Sequence, residues 1–270
     1  MSVDDMTVAE AFNIKESVIA NPERPFPDNY HARLGQKLNP QKSKVYKQIE
    51  EIREYSETNQ MKLNIPKTKF MLFNPTVKYD FIPDLSVENI QVETCEEMKL
   101  LGLTISNNLS WKSNTNNLIL RAYKKLWVIK RLKIQGANQS DLIDIYVKQV
   151  RSILEYGVPV WNSGLTLEEV ADFERVQKSF LHITLEQDYQ DYKSALVKTQ
   201  LETLEYRRWK LCKKFAVKAA GHPKHSKWFV KNKPGLNTRS EKQPYKLPWC
   251  RLSRTLKGPI PYLTNILNDK

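Results

Sequence analysis

Two groups of residues have chemistry to offer, one acidic and one basic. The opening run Met1-Ser2-Val3-Asp4-Asp5-Met6-Thr7 sets two carboxylates side by side between β-capable residues. At the bend of a tight hairpin, adjacent acids present oxygen ligands to Mg²⁺, which prefers carboxylates, waters and substrate phosphates. The same pair also serves as a turn or helix cap, the commoner use of adjacent aspartates. The basic group is Arg121, Lys124, Lys125, Lys130, Arg131 and Lys133, and no acidic residue interrupts the chain from Lys112 to Ser140. A cationic surface of this kind suits a polyanion, or it is simply a solvated charged face. Arg207, Arg208, Lys210, Lys213, Lys214 and Lys218 form a second basic run.

These residues need elements to hold them. The stretch from Asn114 to Trp161 predicts two helices with a short joint. Leu118, Ala122, Leu126 and Ile129 recur at helical spacing and give the first helix one face to bury. Gln135-Gly136 ends it, Asn138-Gln139-Ser140-Asp141 offers an N-cap, and Leu142, Tyr146, Val150, Ile153 and Gly157 mark the apolar face of the second. Thr166-Leu167-Glu168-Glu169 reads as a capping box opening a helix with Val170, Phe173, Gln177, Phe180 and Leu181 at helical spacing. A further helix from about Thr203 to Ala220, with Gly221 as its C-cap, presents Leu204, Leu211, Phe215 and Ala219 to a core. Its second basic run then faces solvent, either extending a phosphate-binding surface or keeping the domain soluble.

Upstream, Asn13 to Asn39 is rich in Pro and Asn and reads as an exposed loop insertion. Gln41 to Thr58 is helical in pattern, burying Val45, Ile49 and Ile52 with Tyr55 or Ser56. Strands are expected at Phe70 to Phe73, at Leu85 to Val87 with Ile90 to Glu93, and at Lys99 to Ile105. The fold class is therefore α+β, a small antiparallel sheet followed by a mainly helical remainder. The expected divisions are 1–111, 112–163, 164–221 and a basic, largely irregular tail at 222–270. That tail interleaves basic residues with Trp228, Phe229, Tyr245 and Trp249, and ends in a short helix near Tyr262 to Leu267.

Composition narrows the partners. The 270 residues carry 43 Lys and Arg against 30 Asp and Glu, a formal net charge of +13, which points to nucleic acid or an anionic surface. No apolar run approaches the roughly 20 residues of a membrane span, and the acidic N-terminal residues lack the signal-peptide pattern. The expectation is an intracellular chain, nuclear or cytoplasmic, with no membrane partner. Cys95, Cys212 and Cys250 are too few and too scattered for a disulfide framework or a paired thiolate zinc site. His222, His225 and Cys250 match no compact finger, and none of His31, His182, His222 and His225 forms a His-x-Asp or His-x-Glu step for an iron triad. There is no glycine-rich phosphate loop, no Gly-x-Ser-x-Gly and no His-Glu-x-x-His.

Taken in order, Val3-Asp4-Asp5, then Met61-Lys62-Leu63-Asn64 with Lys67-Thr68-Lys69 before Met71-Leu72-Phe73, then Lys99-Leu100-Leu101-Gly102-Leu103-Thr104-Ile105 and Leu109-Ser110-Trp111, form a collinear series. It continues through Arg151 to Tyr156, Pro159-Val160-Trp161, Phe173 to Lys178 and Leu201 to Arg208. The series resembles the reverse transcriptases of non-LTR (LINE-type) retrotransposons. That resemblance implies an RNA-directed DNA polymerase in which Asp4 and Asp5 are catalytic ligands of Mg²⁺, and Lys67 and Lys69 lie near the incoming nucleotide. It implies that Leu101-Gly102 belongs to the strand turn of the primer grip. It also implies that 1–111 is the end of a palm and that Asn114 to Trp161 is a thumb whose basic helix tracks an RNA/DNA template-primer. The chain departs from the family in having Ser2 where an aromatic precedes Val-Asp-Asp, and in lacking the fingers, most of the palm and the third carboxylate. The expectation is a truncated polymerase that binds nucleic acid without polymerising alone, the missing upstream region belonging to a full-length element. The rival expectation is a non-enzymatic basic helical module binding RNA, DNA or a partner protein.

Overall fold

The computed structural model describes residues 44–61, 64–73, 86–87, 90–232, 243–250 and 253–269. The chain divides into two units, Met1–Leu109 and Ser110–Lys270.

In the first unit, α1 spans Lys44–Thr58. Of the two candidates for its buried edge, Ser56 is buried and Tyr55 is exposed; the Ser56 hydroxyl donates to the Ile52 carbonyl at 2.8 Å. A 3₁₀ turn at Ile65–Lys67 follows, opened by the Asn64 side chain accepting from the Lys67 amide. The strands are β1 Lys69–Phe70, β2 Ser86–Val87, β3 Ile90–Gln91, β4 Glu93–Thr94, β5 Glu97–Leu100 and β6 Leu103–Ser106. Among the described residues, three two-stranded ladders stand where a single antiparallel sheet was expected: β2 with β3 and β5 with β6 antiparallel, but β1 with β4 parallel. A parallel pair needs a crossover of a dozen or more residues, and Phe70 and Glu93 are far enough apart in sequence to allow one. The pairing is rewarded by a small apolar cluster of Ile65, Phe70 and Val92, with Ile49 and Leu72 packed on it.

The run expected as one strand from Lys99 to Ile105 folds back on itself. Leu100 pairs with Leu103, and the two residues between them have φ of +46° and +85°. A two-residue hairpin turn of this hand needs both central residues left-handed, which suits Gly102 and strains Leu101.

The second unit is helical. Its elements are α2 Lys112–Ile134, α3 Gln139–Ile145, a π-helical turn at Tyr146–Arg151, α4 Ser152–Glu155, α5 Val158–Trp161, α6 Leu167–Leu185, α7 Tyr192–Thr199, α8 Leu204–Gly221, α9 Ser253–Leu256 and α10 Pro259–Asn268. The stretches 112–163 and 164–221, expected as separate regions, close one core together with the C-terminal helix. α2 packs along α6, and α8 packs against α5, α6 and α10. Tyr146 stacks on Phe180 with ring centroids 4.0 Å apart, and Trp161 on Phe173 at 5.3 Å. The Thr166 capping box forms as its sequence predicts: its hydroxyl accepts from the Glu169 amide, and the Glu169 carboxylate accepts from the Thr166 amide at 2.7 Å.

The core face of the second helix differs from the α-helical reading. Leu142, Tyr146 and Val150 are buried as expected, but the face then continues through Leu154 and Val158, not Ile153 and Gly157. The π-helical turn accounts for the move from Ile153 to Leu154, because its wider turn shifts the face by one residue; Val158 lies past the end of that helix, on α5. Gly157, at φ +66°, instead ends that helix and lets α5 turn back into the core.

Candidate nucleic-acid interface

On α2 the sequence and the structure meet most closely. Leu118, Ala122, Leu126 and Ile129 are all buried, joined near the start by Asn114 and Thr115. Burying Leu118, Leu126 and Ile129 contributes roughly 2 kcal/mol each, enough to fix the rotation of the helix about its axis. That rotation decides where the cations go. Arg121, Lys124, Lys125, Lys130 and Arg131 are exposed and Lys133 is half-buried. None of the six makes an ion pair with a carboxylate among the described residues. Six side chains of one sign on a single rigid helix concentrate positive potential along about 18 Å of axis.

The same helix exposes residues that the basic pattern conceals. Leu120, Tyr123, Trp127 and Ile134 are 60, 41, 60 and 70 % exposed. They are spaced by three, four and then seven residues, which keeps them on one side of the helix and forms a second apolar stripe on the side away from the core. The Arg131 guanidinium lies over the Trp127 ring, 5.1 Å from its centroid. A shallow groove of about 310 Å³ runs beside the stripe, lined by Asn116, Ile119, Leu120, Tyr123, Asp172 and Arg175. The signal for these residues was present in the spacing of Leu120, Tyr123, Trp127 and Ile134, but the lysines between them drew attention to charge alone.

The other predicted positions fare differently. Lys67 is exposed in the 3₁₀ turn. Lys69 lies on β1 with its ammonium 2.9 Å from the Glu93 carboxylate on the neighbouring strand; that hydrogen bond and charge hold it above the ordinary lysine pKa. Gly102 is the second residue of the β5–β6 turn. Asp4 and Asp5, and with them the Mg²⁺ expectation, lie outside the described residues. Among the described residues no group of three or more His, Cys, Asp and Glu side chains is placed to hold a metal ion.

The second basic run is a correction. Of the expected core face of α8, Leu204 and Ala219 are buried, but Leu211 is only half-buried and Phe215 is exposed, and Arg208, Cys212 and Ala216 fill the face between. Arg208 therefore does not face solvent: it is 1 % exposed. It sits one turn after Leu204 and one before Cys212, so the helix carries it inward. Its guanidinium lies 4.9 Å over the Phe173 ring, and its Nε donates to the Asn162 side-chain oxygen at 3.0 Å. Its two terminal nitrogens have no hydrogen-bond partner among the described residues. Burial pulls its pKa below the ordinary arginine value and pushes the neighbouring Cys212 thiol up to about 12. Arg207 is also withdrawn from phosphate. Its Nε and Nη2 donate to both oxygens of Glu155 at 2.8 and 3.0 Å, a bidentate pair that fixes α8 to α4.

Among the described residues no helix is long and apolar enough to cross a membrane. His222 and His225 stack on each other, and His225 meets Trp228 at a tilt of 36°. No family model, no curated protein and no solved structure matches this chain.

Proposed function

We propose that the chain binds an RNA or DNA template-primer through the outward cations of α2, as part of a non-LTR retrotransposon reverse transcriptase. The observation that carries this reading is a helix whose apolar face is locked in a core while six cations stand on it without a carboxylate partner among the described residues. Phosphate contacts of this sort position a duplex without reading its bases. The collinear motifs from Val3 to Arg208 support the polymerase ancestry.

A second reading, a non-enzymatic basic helical module, has its own support: residues 110–269 include a core closed among themselves. The two differ in metal dependence. Under the polymerase reading, Mg²⁺ alters template-primer affinity and Asp4→Asn removes that response; an identical response in both proteins favours the module.

The binding itself is tested by a salt series on a hybrid duplex, comparing wild type with the double variant Lys124→Glu, Lys125→Glu. If all six cations neutralise phosphates, log affinity falls against log salt with a slope of about −5, and the double variant makes it shallower by about 2. A flat, unchanged slope in both proteins overturns the reading.

A further inference from the structure

Tracking phosphates explains the lysines of α2 but not its rings. We infer that α2 holds single-stranded nucleic acid, with Tyr123 and Trp127 as stacking platforms for two successive unpaired bases and the neighbouring cations on their phosphates. The inference rests on the phosphate-binding reading of α2 and names the form of the polyanion.

Three observations carry it. First, the stripe of Leu120, Tyr123, Trp127 and Ile134 is exposed on a helix whose opposite face is already buried, so these side chains have no role in closing the core. Second, the charge around them selects the occupant. Lys124, Lys130 and Arg131 flank the stripe, the chain carries no acidic residue from Lys112 to Ser140, and Asp172 in the adjoining groove is paired with Arg175, so a second copy of this surface is repelled and a polyanion attracted. Aromatic rings interleaved with cations are the usual means of holding single strands, because every base has a π-face and every nucleotide a phosphate. Arg131, set over Trp127 at 5.1 Å, covers one face of that ring with a planar cation, so a base stacks on the guanidinium or on the ring's other face.

Third, the spacing distinguishes a single strand from a duplex. Tyr123 and Trp127 are one turn apart on the same face, an axial separation of about 6 Å at 1.5 Å per residue. Bases in a duplex rise about 3.4 Å per nucleotide and hide their faces in their own stack. Platforms nearly twice that far apart fit a strand pulled out of its stack, with one base on each ring. Leu120 and Ile134 continue the stripe beyond the two rings and give the displaced bases apolar edges to lie on.

The experiment measures affinity by anisotropy for three labelled probes of equal length: an oligodeoxyadenylate, an abasic strand with the same phosphates, and a blunt hybrid duplex. The variants are Tyr123→Ala with Trp127→Ala, Trp127→Phe, and Lys124→Glu with Lys125→Glu, each checked by circular dichroism. The ring deletions are expected to weaken the oligodeoxyadenylate about tenfold to a hundredfold, while the abasic strand and the duplex change less than about twofold. Trp127→Phe keeps a stacking face and retains most of the affinity. An equal loss on the abasic strand overturns the stacking role, as does no loss on any probe. The charge variant separates the two readings. If it weakens all three probes while the ring variants weaken none, phosphate binding stands, stacking falls and the stripe belongs to a protein partner. If wild type binds no probe, both readings fall.

Discussion

On α2 the six cations from Arg121 to Lys133 stand apart from the carboxylates of the described residues. On α8 Arg207 grips Glu155, Lys210 meets Glu202 at 2.9 Å, and Arg208 lies beneath solvent against Phe173 and Asn162. The two runs look alike as sequence. They differ in what surrounds them: α2 carries no acid along its length, whereas Glu202 precedes α8, Glu205 lies in its first turn and Glu155 stands on α4. They differ also in their inner faces, uncharged on α2, where Asn114 and Thr115 lead into Leu118, Ala122, Leu126 and Ile129, but occupied on α8 by an arginine one turn from Leu204. Cationic residues become an interface only where the fold leaves them both outward and unspent.

The sharpest break in this comparison is Arg208→Ala. It removes a fully buried side chain, the contact with Phe173 and the bond to Asn162, whose amide is otherwise held by the Tyr262 hydroxyl at 2.9 Å. A loss of about 3 kcal/mol is expected, read as a lower denaturant midpoint. The salt slope for nucleic acid, measured on folded protein, stays unchanged. The Lys124→Glu, Lys125→Glu double variant behaves oppositely, losing affinity while its stability moves within about 0.5 kcal/mol. A variant of Arg208 that stays stable but flattens the salt slope would put α8 in the interface after all.

A smaller effect concerns the polar network that fastens the start of α8. The Tyr146 hydroxyl donates to Gln177 at 2.8 Å, the Gln177 amide donates to the Glu202 carbonyl and the Tyr192 hydroxyl oxygen, and Tyr192 donates to Glu174. Burial raises the pKa of both tyrosines well above the usual value. A raised acid pKa means that the folded state keeps a proton the unfolded chain releases. Stability is therefore fully present below the unfolded value near 10 and falls as pH rises beyond it, by up to about 1.4 kcal/mol per pH unit per tyrosine. Tyr146→Phe costs about 1–2 kcal/mol near neutrality by stranding the Gln177 oxygen, and it makes the alkaline decline less steep. An unaltered alkaline slope in Tyr146→Phe would mean that Tyr146 is not the titrating group.

How much of this was legible in the sequence follows the same division. The buried face of α2 was, because an uninterrupted aliphatic stripe at helical spacing has one physical meaning. The continuation past Val150 was not, because a π-helical turn leaves no mark in residue type and moves the face from Ile153 to Leu154. Arg208 was misplaced because charge outweighs position in a sequence reading, although it falls on the line from Leu204 to Cys212. The Lys69–Glu93 pair depends on a parallel ladder between strands of two residues, too short to carry any periodicity. The expected site at Asp4 and Asp5 lies outside the described residues.

The smallest expected effect tests whether α8's surface lysine is spent as the geometry indicates. The hydrogen bond from Lys210 lowers the Glu202 pKa first, and the charges of Lys210 and Arg207 lower it further. A depressed carboxylate contributes stability that is present above its unfolded pKa, about 4.3 for a free glutamate, and is lost as pH falls through the folded value. Glu202 keeps 37 % of its side-chain exposure, so solvent and salt screen the pair and the contribution stays well under about 1 kcal/mol. Glu202→Gln should therefore flatten the acid limb of the thermal-stability profile slightly at low ionic strength, and the difference from wild type should vanish in high salt. Lys124→Ala on α2, which has no such partner among the described residues, should leave the acid limb as it is. If instead Lys124→Ala reshapes the acid limb and Glu202→Gln does not, the cations of α2 are the ones spent within the fold, and the assignment of outward charge to α2 and inward charge to α8 must be reversed.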